Sequence, residues 1–196
     1  MKIALIGDSH TQITFDLLIP LLESMGHQVV GRVSNPGWSV NSFNNDPSEI
    51  LPAVQNDPDA IIVSIGGNNF QLDSAKYGVQ VSEFLQHLGY PKRKIVWLGP
   101  LYATHEDVDK RHRWTNEWLS KNLSRDIDYV DLYPFSTSGH RSDGVHFTRS
   151  AYNQIVSAIE SKIVQALGRY QVTKIAKVTI PIALILGLGV YFRNRR

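Results

Sequence analysis

The sequence has 196 residues, of which 42% are hydrophobic and 19% are charged, and its net charge is +2 at pH 7. These values are typical of one globular domain with a buried core, and they exclude an intrinsically disordered chain. The absence of cysteine excludes disulfides, thiolate metal sites and cysteine nucleophiles. The small basic excess lies mostly after Leu167 and does not form the basic face that nucleic-acid binding requires, so no nucleic-acid partner is expected.

The predicted elements alternate between strands and helices along the chain. Short apolar or β-branched segments bounded by Gly, Pro, Asn or Asp predict five strands: Lys2–Ile6, Gln28–Val33, Ala60–Ile65, Lys94–Leu98 and Tyr129–Leu132. Segments in which apolar residues recur at intervals of three and four predict five helices: Gln12–Met25, Pro47–Gln55, Ala75–Leu88, Asp107–Leu123 and Thr148–Leu167. This alternation predicts a parallel sheet that is covered by helices on both faces.

Polar turns follow the first three predicted strands. Asp8–His10 comes directly after the first strand, Asn35–Gly37 follows the second, and Gly66–Asn69 follows the third. The carboxyl ends of parallel strands meet at one edge of a sheet, and α/β proteins bind their ligands there. The sequence therefore predicts a functional site at this edge.

The residues available at this edge match the needs of acyl transfer from an ester, which are a nucleophile, a base, a group that orients the base and donors for the oxyanion. Ser9 offers a hydroxyl, and His146 offers a base with Asp143 three residues before it. For the oxyanion, the backbone N–H groups of Ser9 and Gly37 and the side-chain amide of Asn68 are available.

Four short motifs, in this order, resemble those of the SGNH-hydrolase family, also called GDSL-type esterases and lipases: Gly7-Asp8-Ser9, Gly37, Gly66-Gly67-Asn68 and Asp143-Gly-Val-His146. The resemblance covers about residues 2–167. The G-x-S-x-G elbow of other serine hydrolases is missing, which argues against the α/β-hydrolase fold.

The resemblance implies a role for each matching residue. Ser9 is expected to be the nucleophile, His146 the general base and acid, and Asp143 the group that orients His146. The N–H of Ser9, the N–H of Gly37 and the amide of Asn68 are expected to form the oxyanion hole.

The chain departs from the family pattern at two places. Asn69 stands where the family usually has Asp, so we expect altered loop hydrogen bonds and retained chemistry. The second motif is loose, since a shifted alignment places Val40 at the donor position of Gly37. Trp38, Asn69 and His10 are the candidates for substrate contact.

Simpler interpretations compete with these roles. Asp8 and Ser9 are also good helix N-caps, and Asp143 and His146 also fit an exposed loop before a helix. A cluster of possible metal ligands comprises His105, Glu106, Asp107, Asp109 and His112. Because it lacks the i, i+4 histidine pair of a zinc helix, a solvated helix face is favoured, and no metal or cofactor is predicted.

The carboxyl-terminal segment, residues 178–192, contains no charge and has basic residues on both sides. As a helix it spans about 22 Å, or about 27 Å if counted from Ile175, against a hydrocarbon core of about 30 Å. We predict a single membrane anchor at 178–192, preceded by a basic linker at 169–177 and followed by a basic tail at 193–196. The alternative is a segment packed on the domain. The amino terminus lacks the features of a signal peptide. The sequence does not determine on which side of the membrane the domain lies.

Together these patterns predict an α/β protein: a three-layer α/β/α, flavodoxin-like domain over residues 1–168 with a central parallel five-stranded sheet, plus a carboxyl-terminal hydrophobic helix. The leading hypothesis is a serine esterase that acts through an acyl-Ser9 intermediate. Its substrate would be an O-acetyl group of a polysaccharide or peptidoglycan, or a lipid acyl ester. The alternative is a membrane-anchored structural or binding protein, of an envelope or virion membrane, that retains the fold without turnover. The oligomeric state is not determined by the sequence.

Overall fold

The computed structural model describes residues 1–169, and the five predicted strands form in it with small shifts at their ends. They are β1 (Lys2–Gly7), β2 (Gln28–Ser34), β3 (Ala60–Ser64), β4 (Lys94–Leu98) and β5 (Asp128–Val130). All neighbouring strands pair in parallel in the order β2-β1-β3-β4-β5. This is the flavodoxin-like order, in which the chain reverses its direction of progress between β1 and β3. The predicted fold class is therefore confirmed for this part of the chain.

Helices cover both faces of the sheet. They are α1 (Thr11–Ser24), α2 (Val40–Asn45), α3 (Leu51–Val54), α4 (Ser74–His87), α5 (Glu106–Asn122) and α6, which begins at residue 149 and continues to 169. The helix predicted over Pro47–Gln55 is divided into a 3-10 turn at Pro47–Ile50 and the short helix α3. Helix α2 was not predicted, because six residues are too few to show helical periodicity. It begins with a capping box between Ser39 and Ser42.

The strands bury alternate residues on opposite faces of the sheet. Ile3 and Leu5 of β1 lie in the core beneath α1 and α6, whereas Ala4 and Ile6 lie in the core beneath α2, α4 and α5. Because side chains alternate across a strand, an uninterrupted apolar run such as β1 supplies both cores. Residues 1–169 thus contain a complete three-layer domain with two hydrophobic cores.

Membrane attachment was predicted for the carboxyl-terminal segment. Within residues 1–169, no helix is both long enough and apolar enough to cross a membrane. The predicted linker beyond Arg169, the anchor at 178–192 and the tail at 193–196 lie outside the described residues. They stay predictions of the sequence.

Candidate active site

The site begins at the sharp junction between β1 and α1. A Cβ atom on Gly7 would lie 2.0 Å from Cγ2 of Thr11 and 2.8 Å from the carbonyl oxygen of Ser64, so only glycine allows the helix to start this close to the strand. The N–H of Asp8 donates to the Ser64 carbonyl at 3.3 Å, and the Thr11 hydroxyl donates to the Asp8 carbonyl at 2.6 Å. These contacts hold Ser9 at the carboxyl end of β1.

Ser9, His146 and Asp143 form a hydrogen-bonded chain. The Nε2 atom of His146 lies 2.9 Å from Oγ of Ser9, and its Nδ1 atom lies 3.1 Å from Oδ2 of Asp143. Backbone N–H groups of Val145 and His146 donate to Oδ1 of Asp143 at 2.9 Å and 2.8 Å. These two hydrogen bonds lower the pKa of Asp143 to about 2, so its carboxylate is ionised at neutral pH. The structure therefore brings together the three residues that the sequence motifs selected.

The loop that carries His146 is attached to the loop after β4. Gly144 has φ +64, and its carbonyl accepts hydrogen bonds from the N–H and the hydroxyl of Thr104 at 2.8 Å and 3.2 Å. The N–H of Arg141 donates to the carbonyl of His146 at 2.7 Å. This backbone network fixes the position from which the imidazole approaches Ser9.

The predicted oxyanion residues lie on two joined turns. The N–H of Asn35 donates to the carbonyl of Gly7 at 3.0 Å, which ties the turn containing Gly37 to the end of β1. Gly37 itself has φ +78, a conformation that favours glycine. One amide hydrogen of Asn68 bonds the carbonyl of Trp38 at 3.2 Å, which leaves the second hydrogen for an oxyanion. The alternative donor, Val40, is the first residue of α2.

Two of the three residues predicted to contact substrate are buried. The side chain of Asn69 is 3% exposed, donates to the Gln71 carbonyl at 2.9 Å and to the Thr115 hydroxyl at 3.2 Å, and accepts from the N–H of Gln71. It shapes the loop and is not directed at a substrate, so the structure corrects that expectation. Trp38 is half-buried, and its ring lies edge-on to that of Phe43 with 4.8 Å between the ring centroids. Its contact with substrate stays a prediction.

His10 is buried beside His146. Its ring centroid is 5.0 Å from that of His146, and its Nδ1 atom is 2.8 Å from the hydroxyl of Tyr152. Burial lowers the pKa of His10 to about 3, so the ring is neutral at neutral pH. His10 therefore packs against the imidazole of His146, and its contact with substrate stays a prediction.

Asp8 is a buried carboxyl group. From the sequence it was predicted only as a helix cap and as part of the first motif. It is 3% exposed, and its Oδ1 accepts the N–H of His10 at 3.1 Å. Burial raises the pKa of Asp8 to about 7. It borders a cavity of about 10 Å³, also lined by Gly67 and Leu101, which has room for about one water molecule. Its position at the end of a buried strand is the sequence signal for this burial.

The prediction that the possible metal ligands form a solvated face of α5 is wrong for two of them. Asp109 and His112 are 7% and 1% exposed. Asp109 pairs with Arg113 at 3.0 Å and accepts a hydrogen bond from the Tyr133 hydroxyl at 2.7 Å. These polar residues lie on a buried stripe with Thr115. In the described part of the chain, no cluster of His, Cys, Asp or Glu side chains could hold a metal ion.

Comparison with known proteins gives matches by structure alone. The sequence matches no protein-family model and no curated protein. The fold is similar to that of a carbohydrate esterase family 3 protein from Talaromyces cellulolyticus, with 17% identity and a TM-score of 0.64. That match covers 86% of this chain and 99% of the other.

Two further structures show the same likeness. A lipase/acylhydrolase from Enterococcus faecalis has 20% identity and a TM-score of 0.59, over 82% of this chain and 96% of the other. A GDSL-like lipase from Bacteroides thetaiotaomicron has 15% identity and a TM-score of 0.64, over 84% and 88%. The chain therefore has the fold of GDSL-type acylhydrolases and carbohydrate esterases, as its four motifs predict.

Proposed function

We propose that the protein is a serine esterase that hydrolyses a carboxylic ester through an acyl-Ser9 intermediate. The observation that carries this proposal is the chain of contacts from Ser9 Oγ to His146 Nε2, at 2.9 Å, and from His146 Nδ1 to Asp143, at 3.1 Å. A hydroxyl, a base and an ionised orienting group at these distances are the arrangement that nucleophilic acyl transfer uses.

In the proposed reaction, Oγ of Ser9 attacks the ester carbonyl while Nε2 of His146 takes the hydroxyl proton. Asp143 holds the ring so that Nε2 faces Ser9 and stabilises the imidazolium that forms. The N–H groups of Ser9 and Gly37 and the free amide hydrogen of Asn68 stabilise the oxyanion. His146 then gives its proton to the departing alkoxide. A water molecule, deprotonated by His146, attacks the acyl carbon; the bond to Ser9 Oγ breaks, His146 returns the proton to Oγ, and the acid is released.

For the substrate, we propose an O-acetyl group of a polysaccharide or peptidoglycan, or a lipid acyl ester. Structural neighbours described as a carbohydrate esterase and as a lipase/acylhydrolase support these two classes. A panel of acetylated sugars and long-chain esters separates them, because the two classes differ in the length of the acyl chain that the site must accept.

The test of the proposed chemistry is covalent labelling with a fluorophosphonate, which reacts with activated serine. We expect the wild-type protein to be labelled and to hydrolyse p-nitrophenyl acetate, and Ser9→Ala to do neither while keeping its melting temperature. The exposed Ser142 supplies the matched control, since Ser142→Ala should label normally. A folded wild-type protein without Ser9-dependent labelling would instead favour the non-catalytic alternative, which no feature of the site now favours.

We also propose that residues 178–192 attach the protein to a membrane. The support is the sequence alone, an uncharged run between basic residues. Full-length protein should sediment with membranes and resist alkaline carbonate extraction, and protein that stays in the supernatant without detergent would contradict the proposal.

A further inference from the structure

His112 joins the two loops that follow β3 and β4. This residue of α5 is 1% exposed. Its Nε2 atom lies 3.0 Å from the carbonyl oxygen of Gly67, in the loop after β3, and its Nδ1 atom lies 2.5 Å from the carbonyl oxygen of Leu101, in the loop after β4. A single buried imidazole therefore contacts the backbone of both loops.

The loop after β3 is attached to α5 on both sides of Asn68. Gly67, which precedes Asn68, contacts His112, and Asn69, which follows it, donates to the hydroxyl of Thr115 at 3.2 Å. His112 and Thr115 are three residues apart and lie on the same face of the helix. Asn68, the proposed side-chain oxyanion donor, is thus held between two attachments to one helix.

The space around Gly67 leaves the loop little freedom to move. A Cβ atom at this position would lie 3.3 Å from Nε2 of His112 and 3.6 Å from Oδ2 of Asp8. The α-carbon of Gly67 therefore faces both a buried imidazole and a buried carboxyl group. Loss of the contact to His112 would remove one of the restraints on Gly67.

We propose that His112 is a positioning residue that holds the Gly67 carbonyl and thereby places Asn68 at the oxyanion. This inference rests on the proposed esterase function and adds a residue that none of the four motifs contains. Its physical reason is preorganisation, because an oxyanion donor stabilises the transition state only if it is in place before charge develops. A displacement of about 1 Å can lower a rate by about a hundredfold.

The two ring nitrogens of His112 can be tested separately. Both face carbonyl oxygens, which only accept hydrogen bonds, and burial lowers the pKa of His112 against the opposing effect of the two carbonyls. A neutral imidazole can donate to one of them and an imidazolium to both, so variants that keep one contact each separate the two. Asparagine places an amide near the position of Nδ1 and can bond Leu101, whereas glutamine reaches the position of Nε2 and can bond Gly67.

The experiment compares His112→Gln with His112→Asn in the full-length protein, by kcat and KM on a small acetyl ester. We expect His112→Gln to stay close to wild type in kcat. His112→Asn should lose about tenfold to a hundredfold in kcat with little change in KM, because the displaced donor acts in the transition state. Equal losses in the two variants would overturn the proposal.

The background variant Asn68→Ala distinguishes positioning from general stability. If His112 acts through Asn68, His112→Asn should add almost no loss in kcat to Asn68→Ala, since two residues that act as a unit are non-additive. The same loss in both backgrounds would overturn the proposal.

A second variant covers the case in which His112→Asn does not fold. Thr115→Val removes the acceptor for Asn69 with little change in volume, and it should lower kcat in the wild-type background and not in Asn68→Ala.

A wild-type protein that neither labels at Ser9 nor hydrolyses esters would overturn the proposed function, and this inference with it. Active wild type with additive variants would overturn the inference alone.

Discussion

At the scale of single residues, the site combines an ionised acid with a protonated one. Hydrogen bonds from the backbone lower the pKa of Asp143 to about 2 at the surface, whereas burial raises the pKa of Asp8 to about 7. One carboxyl group precedes Ser9 by one residue and the other precedes His146 by three, and their environments give them different charges below neutral pH. Asp143 can therefore stabilise an imidazolium, while Asp8 is a buried structural group whose ionisation costs free energy.

The burial of Asp8 predicts how stability depends on pH. Folded protein keeps the Asp8 proton up to about pH 7, whereas unfolded chain releases it near its ordinary pKa of 3.8. A rise in pH between these values therefore lowers the free energy of unfolding. The side chain of Asp8→Asn is neutral at every pH. The difference in the free energy of unfolding between Asp8→Asn and wild type should therefore be constant below pH 4 and shift in favour of the variant as the pH rises from 4 to 7.

Melting temperatures between pH 4 and pH 8 check this prediction. Each kcal/mol of added stability should appear as about 2–4 °C for a domain of this size. The difference between Asp8→Asn and wild type cancels the contributions of other titrating groups that the substitution leaves alone. A difference that does not change with pH would contradict the raised pKa.

Asn69→Asp introduces the residue that the SGNH-hydrolase family, which the four motifs resemble, usually has at this position. The buried amide of Asn69 donates to the carbonyl of Gln71, and a carboxylate there would face that oxygen without a proton. We expect a loss of about 1–3 kcal/mol in the free energy of unfolding, measured by denaturant unfolding. The kcat should stay close to wild type, because the Thr115 hydroxyl can donate to the new carboxylate and keep the loop attached to α5. Hydrolysis is compared at a temperature where both proteins are folded. A rise in kcat of tenfold or more would show instead that Asn69 limits the chemistry.

At the scale of elements, α5 and the loop after β4 organise the site without supplying a motif residue. Helix α5 holds the loop after β3 through His112 and Thr115. The loop after β4 holds the triad loop through Thr104. The turn after β3 and the loop that carries Asp143 and His146 are thus held by contacts from α5 and from the loop after β4, and substitutions at these contacts should affect catalysis.

Gly144→Ala tests the contact between the triad loop and the loop after β4. Gly144 has φ +64, and a Cβ atom would lie 2.2 Å from Oγ1 of Thr104. The substitution should destabilise the protein by about 1–3 kcal/mol and lower kcat, because the loop carrying Asp143 and His146 must move. Melting temperature and kcat are the measurements.

Gly168→Ala in α6 is the matched control for this glycine substitution. Space around Gly168 is open, and alanine is favoured over glycine in a helix by about 1 kcal/mol. We expect unchanged kcat and equal or slightly higher stability. If both glycine variants behaved alike, the contact between Gly144 and Thr104 would not be what positions the triad.

At the scale of the whole molecule, the sheet order explains where the site lies. Helices leave β1 and β3 toward opposite faces of the sheet, which opens a crevice beyond their carboxyl ends. Ser9 follows β1 and Asn68 follows β3, so the proposed nucleophile and the proposed oxyanion donor lie on the two sides of this crevice. Both cores beneath the crevice are built from residues of 1–169.

Because both cores are complete, a fragment of residues 1–169 should fold and keep the site. We expect one cooperative thermal transition and Ser9-dependent labelling at the rate of the full-length protein, measured side by side in detergent. Loss of the transition in the fragment would mean that residues after 169 contribute to the stability of the domain.

The fold class, and the three residues that the structure joins by hydrogen bonds, Ser9, Asp143 and His146, were predictable from local sequence patterns. Buried parallel strands are apolar on both faces, so Ile3–Ile6 and Ala60–Val63 are recognisable as continuous apolar runs. The turns that follow such strands meet at one edge whatever the details of packing. Motif order and strand order were therefore enough to bring Ser9 and His146 together.

The burial of several polar residues could not be predicted without the three-dimensional packing. The sequence predicted that His112 is solvated and that Asn69 contacts substrate. Both can be buried because His112 forms a hydrogen bond with the carbonyl of Leu101, and Asn69 forms one with the hydroxyl of Thr115. A polar side chain can be buried where it finds a hydrogen-bond partner. Such partners come from segments distant in the chain, and hydropathy and periodicity record only what is local.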